Sequence, residues 1–96
     1  MNYPGLINLA REVRLIAENM TGDELVSWRA ANVGDDTPCG SPQELAAEVA
    51  GAMFLRASAT AGHGPREAMN LERVLWSTIV LGISLPVTTS DFGRPT

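Results

Sequence analysis

Leu6, Leu9, Val13, Ile16 and Met20 recur at spacings of three and four, with Pro4 just ahead of them. That spacing predicts an amphipathic first helix with one apolar stripe, opened by a proline where its missing N–H costs nothing. Asn8, Arg11, Glu12, Glu18 and Asn19 occupy the opposite face. Leu15 sits among them, about 130° from the centre of the stripe at 100° per residue. A single leucine there reads either as an ordinary surface residue or as a contact to another chain.

Helix-start chemistry divides the rest of the chain. In "TGDE" the Thr21 hydroxyl can accept from the Glu24 amide while the Glu24 carboxylate reaches back, a capping box that opens a second helix over about 22–33. Leu25, Trp28 and Ala31 share one of its faces, and Gly34 supplies the left-handed residue that closes it. The turn-rich "GDDTPCG" follows, and "SPQE" then opens a third helix over about 42–60, with Ser41 as cap, Pro42 at the first helical position and Glu44 reaching back. Ala46, Ala47, Ala50, Gly51 and Ala52 leave this helix almost smooth between its large apolar residues. Smooth helices pack closely, so the third helix is expected at the centre, covered on more than one side.

"TAGHGP" ends that helix and Pro65 starts a fourth. Pro86 forces it to stop at or before Leu85. On a helical wheel Leu71, Leu75, Ile79 and Gly82 form one face, Trp76, Val80 and Ile83 a second, and Val74, Thr78 and Leu81 a third. The second half of this helix is therefore apolar all round, and three other short helices can cover only part of it. A homodimer, or another protein, is expected to cover the rest. The segment from Val74 to Val87 carries no charge, but it is shorter than the roughly 18–20 residues that cross a bilayer. It also lacks the charged face of an interfacial helix.

The expected fold is therefore all-α: a compact, dimeric bundle of four helices in one domain over residues 1–87, with a flexible tail over 88–96. Composition narrows the function more than it names it. The chain has 96 residues, 45% of them hydrophobic, and a formal charge of -4 with seven arginines and no lysine. That balance suits a folded globular protein and disfavours a phosphate backbone as main ligand. Residues 1–20 lack the basic start and cleavage site of a secretory signal, so a cytoplasmic location is expected. Cys39 is the only cysteine and reads as a reduced surface thiol.

The search for chemistry is short. His63 has no sequence partner for a metal or a catalytic relay, and Asp35 and Asp36 lack further oxygen ligands at calcium-loop spacing. The "DFG" of the tail stands without the glycine-rich loop, strand lysine and catalytic loop that give it meaning in kinases. No glycine falls in a phosphate-binding pattern. No enzyme activity, cofactor or metal is expected.

"SPQELAAEVAGAM" resembles the first helix of a helix-turn-helix in its Ser-x-x-Glu opening, Ala47 and Gly51. That resemblance implies a DNA-binding transcriptional regulator as the alternative reading. It fails after Gly51, because "AMFLRASAT" continues helical and largely apolar where a turn and a polar recognition helix should follow. The reading preferred on the residues is a small acidic regulator of the anti-activator, inhibitor or adaptor type, which occludes the surface of another protein. Its expected contacts are the anchors Trp76, Trp28 and Phe54, with Val80, Ile83 and Leu15 beside them. Neither nucleic acid nor membrane is an expected partner.

Overall fold

The Thr21 hydroxyl accepts from the Glu24 amide at 3.1 Å and the Glu24 carboxylate accepts from the Thr21 amide at 2.8 Å, so the capping box forms in both directions. The Ser41 hydroxyl likewise accepts from the Glu44 amide at 3.1 Å, with Pro42 behind it. These caps fix the starts of two of the four helices in the computed structural model: α1 (Tyr3–Glu18), α2 (Gly22–Asn32), α3 (Pro42–Thr60) and α4 (Pro65–Leu81). The structure describes residues 3–34 and 40–83, and those residues form no strand. Asp35, Asp36, Cys39 and the tail 88–96 lie outside the described residues.

Three helix ends carry a glycine at positive φ, among them the expected Gly34 (φ 79°) after α2. Gly62 (φ 85°) follows α3 and Gly82 (φ 72°) follows α4. At each of these two, the N–H of the next residue reaches back to a carbonyl five residues earlier, His63 to Ser58 and Ile83 to Thr78, both at 2.9 Å. This motif needs a left-handed residue that only glycine adopts without strain. It ends α4 at Leu81, four residues before the limit set by Pro86. Gly82 is therefore a terminator and not a member of a helical face, and Ile83 turns away from the wheel.

α3 is the shared wall. It packs on α1, on α2 and most extensively on α4. Its own buried residues are Ala47, Val49, Ala50, Gly51, Phe54 and Ser58. The smooth run allows this: alanine and glycine let two neighbours approach where longer side chains would hold them off. Leu6, Ile7, Ala10, Val13 and Ala17 of α1, Leu25 of α2, and Ala68, Leu71, Leu75 and Ile79 of α4 complete the core.

The stripe on α1 differs from the expected one. Ile7, Ala10 and Ala17 are buried while Leu9 and Met20 are half-buried and Ile16 is 51% exposed. The buried face is turned by about 65° from the stripe of largest residues, at 100° per residue. The small side chains of Ala10 and Ala17 admit the neighbouring helices, and a pattern read by apolar bulk passes over them. The turn also brings Arg14 toward the end of α4, where Nη1 donates to the Ile83 carbonyl at 2.6 Å. On α2, Leu25 and Arg29 are buried, Trp28 is half-buried and Ala31 is exposed. Arg29 takes the inward place because Glu48 of α3 accepts from its Nε at 3.4 Å.

Candidate protein-binding surface

α4 turns Ala68, Leu71, Leu75, Thr78 and Ile79 inward. Thr78 is an apolar-face residue only because its hydroxyl donates to the Leu75 carbonyl at 2.8 Å, which satisfies it within the helix. Centred about 130° away at 100° per residue, Met69, Trp76 and Val80 form a second stripe along the helix. Met69 is 52% exposed, and Trp76 and Val80 are half-buried against the edge of the core. Leu81 at 69% and Ile83 at 52% leave the end of the helix uncovered as well. Val74, on the third face, is half-buried. Among the described residues, then, α4 is covered on one face and part of a second.

Charged groups border the stripe on both sides. Glu72 lies about 60° from its centre toward the core, and Arg73 and Arg66 lie about 40° and 60° away on the outer side, at 100° per residue. Glu72 rests against α3 where Gly51 has no side chain: a Cβ there would stand 2.7 Å from Glu72 Oε2. Burial pushes the Glu72 carboxyl above its ordinary range, and the adjacent Arg73 guanidinium partly offsets this. Arg66 and Arg73 are exposed, and neither they nor Glu72 form an ion pair among the described residues.

The remaining residues expected in a contact are scattered. Leu15 is 62% exposed on the outer face of α1, beside a shallow groove lined by Asn8, Arg11 and Glu12. Trp28 is half-buried, with the Arg56 guanidinium 5.7 Å from its ring centroid. Arg56 also donates to the Asn32 side-chain oxygen at 2.9 Å and to the Asn32 carbonyl, which binds the end of α2 to α3. Phe54 is fully enclosed, so its ring serves the chain's own core and has no surface to offer a partner. Only Trp76 and Val80 of the expected residues share one face. Met69 and Glu72 were missed by sequence reasoning, although Met69 stands seven residues before Trp76 and so on the same side of the helix.

α3 runs unbroken through Gly51, so the turn of a helix-turn-helix is missing where the sequence would place it. No group of three or more His, Cys, Asp or Glu side chains is placed to hold a metal among the described residues. No helix among them is long and apolar enough to cross a membrane. Comparison with protein-family models, with curated proteins and with solved structures finds no match to this chain.

Proposed function

We propose that this chain is a small acidic helical regulator that binds another protein and occludes its surface, as anti-activators, inhibitors and adaptors do, and that its binding surface is the second face of α4. In this reading the four helices act as one compact bundle completed by association, with a second copy or with a different protein. The observation that carries it is the stripe of Met69, Trp76 and Val80, with Ile83 exposed just beyond the helix end, left half-covered or open on a helix whose other face is core. A large aromatic residue beside aliphatic neighbours, ringed by charge, has the makeup of an interface centre. Leu15 on α1 provides a second exposed apolar position for a contact on another side of the chain.

Val80→Glu and Ile83→Glu test this. A carboxylate at either position would be buried unpaired in the contact, which costs several kcal/mol. Each variant is expected to keep its helical circular-dichroism spectrum while losing self-association in light scattering, or losing a partner that the wild-type chain captures from its source lysate. Ile83 is half-exposed, so that variant stays informative if the half-buried Val80 position proves necessary for folding. Folded variants with unchanged assembly and unchanged partners would refute the proposal.

A further inference from the structure

The stripe on α4 is acidic on one side and basic on the other, and this bears on what can cover it. Glu72 is half-buried beside Gly51 and forms no ion pair among the described residues, its burial only partly offset by the charge of Arg73, and Arg73 and Arg66 are exposed on the opposite side of Trp76. Any partner that covers Trp76 removes more water from Glu72. A carboxylate loses more from such desolvation than it regains unless a cation arrives with the partner.

We propose that the partner is a second copy of this chain, with the two α4 helices side by side and parallel about a two-fold axis that runs along them. The inference rests on the α4 surface described above. Symmetry supplies the argument. A two-fold axis parallel to the helices exchanges the sides of the stripe, so Glu72 of each copy faces Arg73 of the other and two equivalent ion pairs close over the apolar seam. An axis perpendicular to antiparallel helices keeps each side where it is. It would set Glu72 toward Glu72, and the arginine side toward the arginine side, adding repulsion to desolvation. Only the parallel arrangement makes the surface complementary to itself. Met69 and Trp76, seven residues apart, then meet their own counterparts along the seam, in the manner of parallel helix pairs.

The full-length chain tests this by sedimentation. The wild-type dimer is expected to weaken as salt rises from about 0.05 to 0.5 M, because exposed ion pairs are screened over that range. Arg73→Glu and Glu72→Arg should each weaken the dimer at least tenfold, and the double exchange Glu72→Arg with Arg73→Glu should restore it to within a few-fold of wild type. In a Cys39→Ser background, Met69→Cys should form a disulfide between the two copies under mild oxidation, since the parallel arrangement puts residue 69 beside residue 69. A dimer that tightens with salt, is not rescued by the double exchange or does not cross-link at 69 would overturn the parallel pairing and leave the α4 surface standing, provided Val80→Glu still dissociates it. A wild-type chain that stays monomeric at tens of micromolar would overturn self-pairing, and the α4 surface would then be judged on the partner lost by Val80→Glu or Ile83→Glu. A dimer indifferent to both those substitutions would overturn the α4 surface and the pairing together.

Discussion

Replacing Gly51 by alanine sets two effects of similar size against each other, and the geometry decides between them. Gly51 lies in the interior of α3, where alanine in place of glycine is worth about 0.8–1 kcal/mol of helix stability. Against this, the added Cβ would stand 2.7 Å from Glu72 Oε2, with the Glu72 Cγ and Cδ at 3.4 and 3.5 Å. Only the carboxylate oxygen is too close. It sits at the end of a flexible side chain whose last torsion is broad, and holding it off its preferred rotamer costs about 0.5–1.5 kcal/mol at most. The carboxylate can also swing outward, which relieves the burial it now suffers. Gly51→Ala is therefore expected to fall between about 0.5 kcal/mol destabilising, if Glu72 is held off its rotamer, and about 1 kcal/mol stabilising, if the carboxylate swings clear. In a Glu72→Ala background, where nothing obstructs the Cβ, the gain should reach about 1 kcal/mol. Gly51→Leu should cost about 1–3 kcal/mol in either background, because several added carbons would have to displace α4 itself. Urea denaturation followed by circular dichroism at one fixed protein concentration reads all of these. If Gly51→Ala destabilises by more than about 1 kcal/mol even in the Glu72→Ala background, the notch is filled by something other than the Glu72 side chain and the packing of α3 on α4 is misjudged.

Two further outcomes follow from the core and from Glu72. Phe54→Ala removes a fully buried ring from the central helix, at about 3–5 kcal/mol. Against a total of about 5–15 kcal/mol for a domain this small, its thermal midpoint should fall sharply, and a variant melting with wild type would contradict the placement of Phe54. Because burial raises the Glu72 carboxyl in the folded chain, the folded state holds this proton more tightly than the unfolded state does. Stability from this group is thus fullest below the ordinary carboxylate range, falls as pH rises through the raised value and stays lower above it. Glu72→Gln should therefore be more stable than wild type at neutral pH, and should lose this part of the pH slope. Urea midpoints measured between about pH 4 and 7, at concentrations where the chain is monomeric, would show parallel curves for the two if that is wrong.

The helix starts were legible because capping is local: Thr21 with Glu24, Ser41 with Glu44 and Pro65 each act within one turn of themselves. So was the central place of α3, since small residues in a run have few other uses. What escaped was set by partners distant in sequence. Arg29 turns inward for Glu48, nineteen residues on, and nothing near Arg29 announces it. The face of α1 follows two alanines that a size-weighted stripe ignores. α4 stops at Gly82 because the left-handed glycine acts before Pro86 is reached, and the proline had set only an outer limit. On the face of α4 proposed for binding, the shared side of Trp76 and Val80 was legible from the wheel, whereas Phe54 looked like an anchor for the same reason that it is core: it is the largest apolar residue on the smoothest helix. Glu72 escaped because a carboxylate draws notice by its partners, and its neighbour here is an absent side chain.

The Arg14 contact with the Ile83 carbonyl has a consequence for how the chain is joined up. It ties the second half of α1 to Ile83, two residues past α4, so the earliest and latest of the described helices are fastened to each other as well as to α3. α2 docks chiefly on α3 and stands outside that ring. Contacts that close α1 on α4 span most of the sequence and form late, after shorter loops have closed. The α3–α4 hairpin is joined by four residues and can form first. A folding chain would thus hold α4 half-sheltered by α3 while its α1 side is still open, and the last step would be the docking of α1.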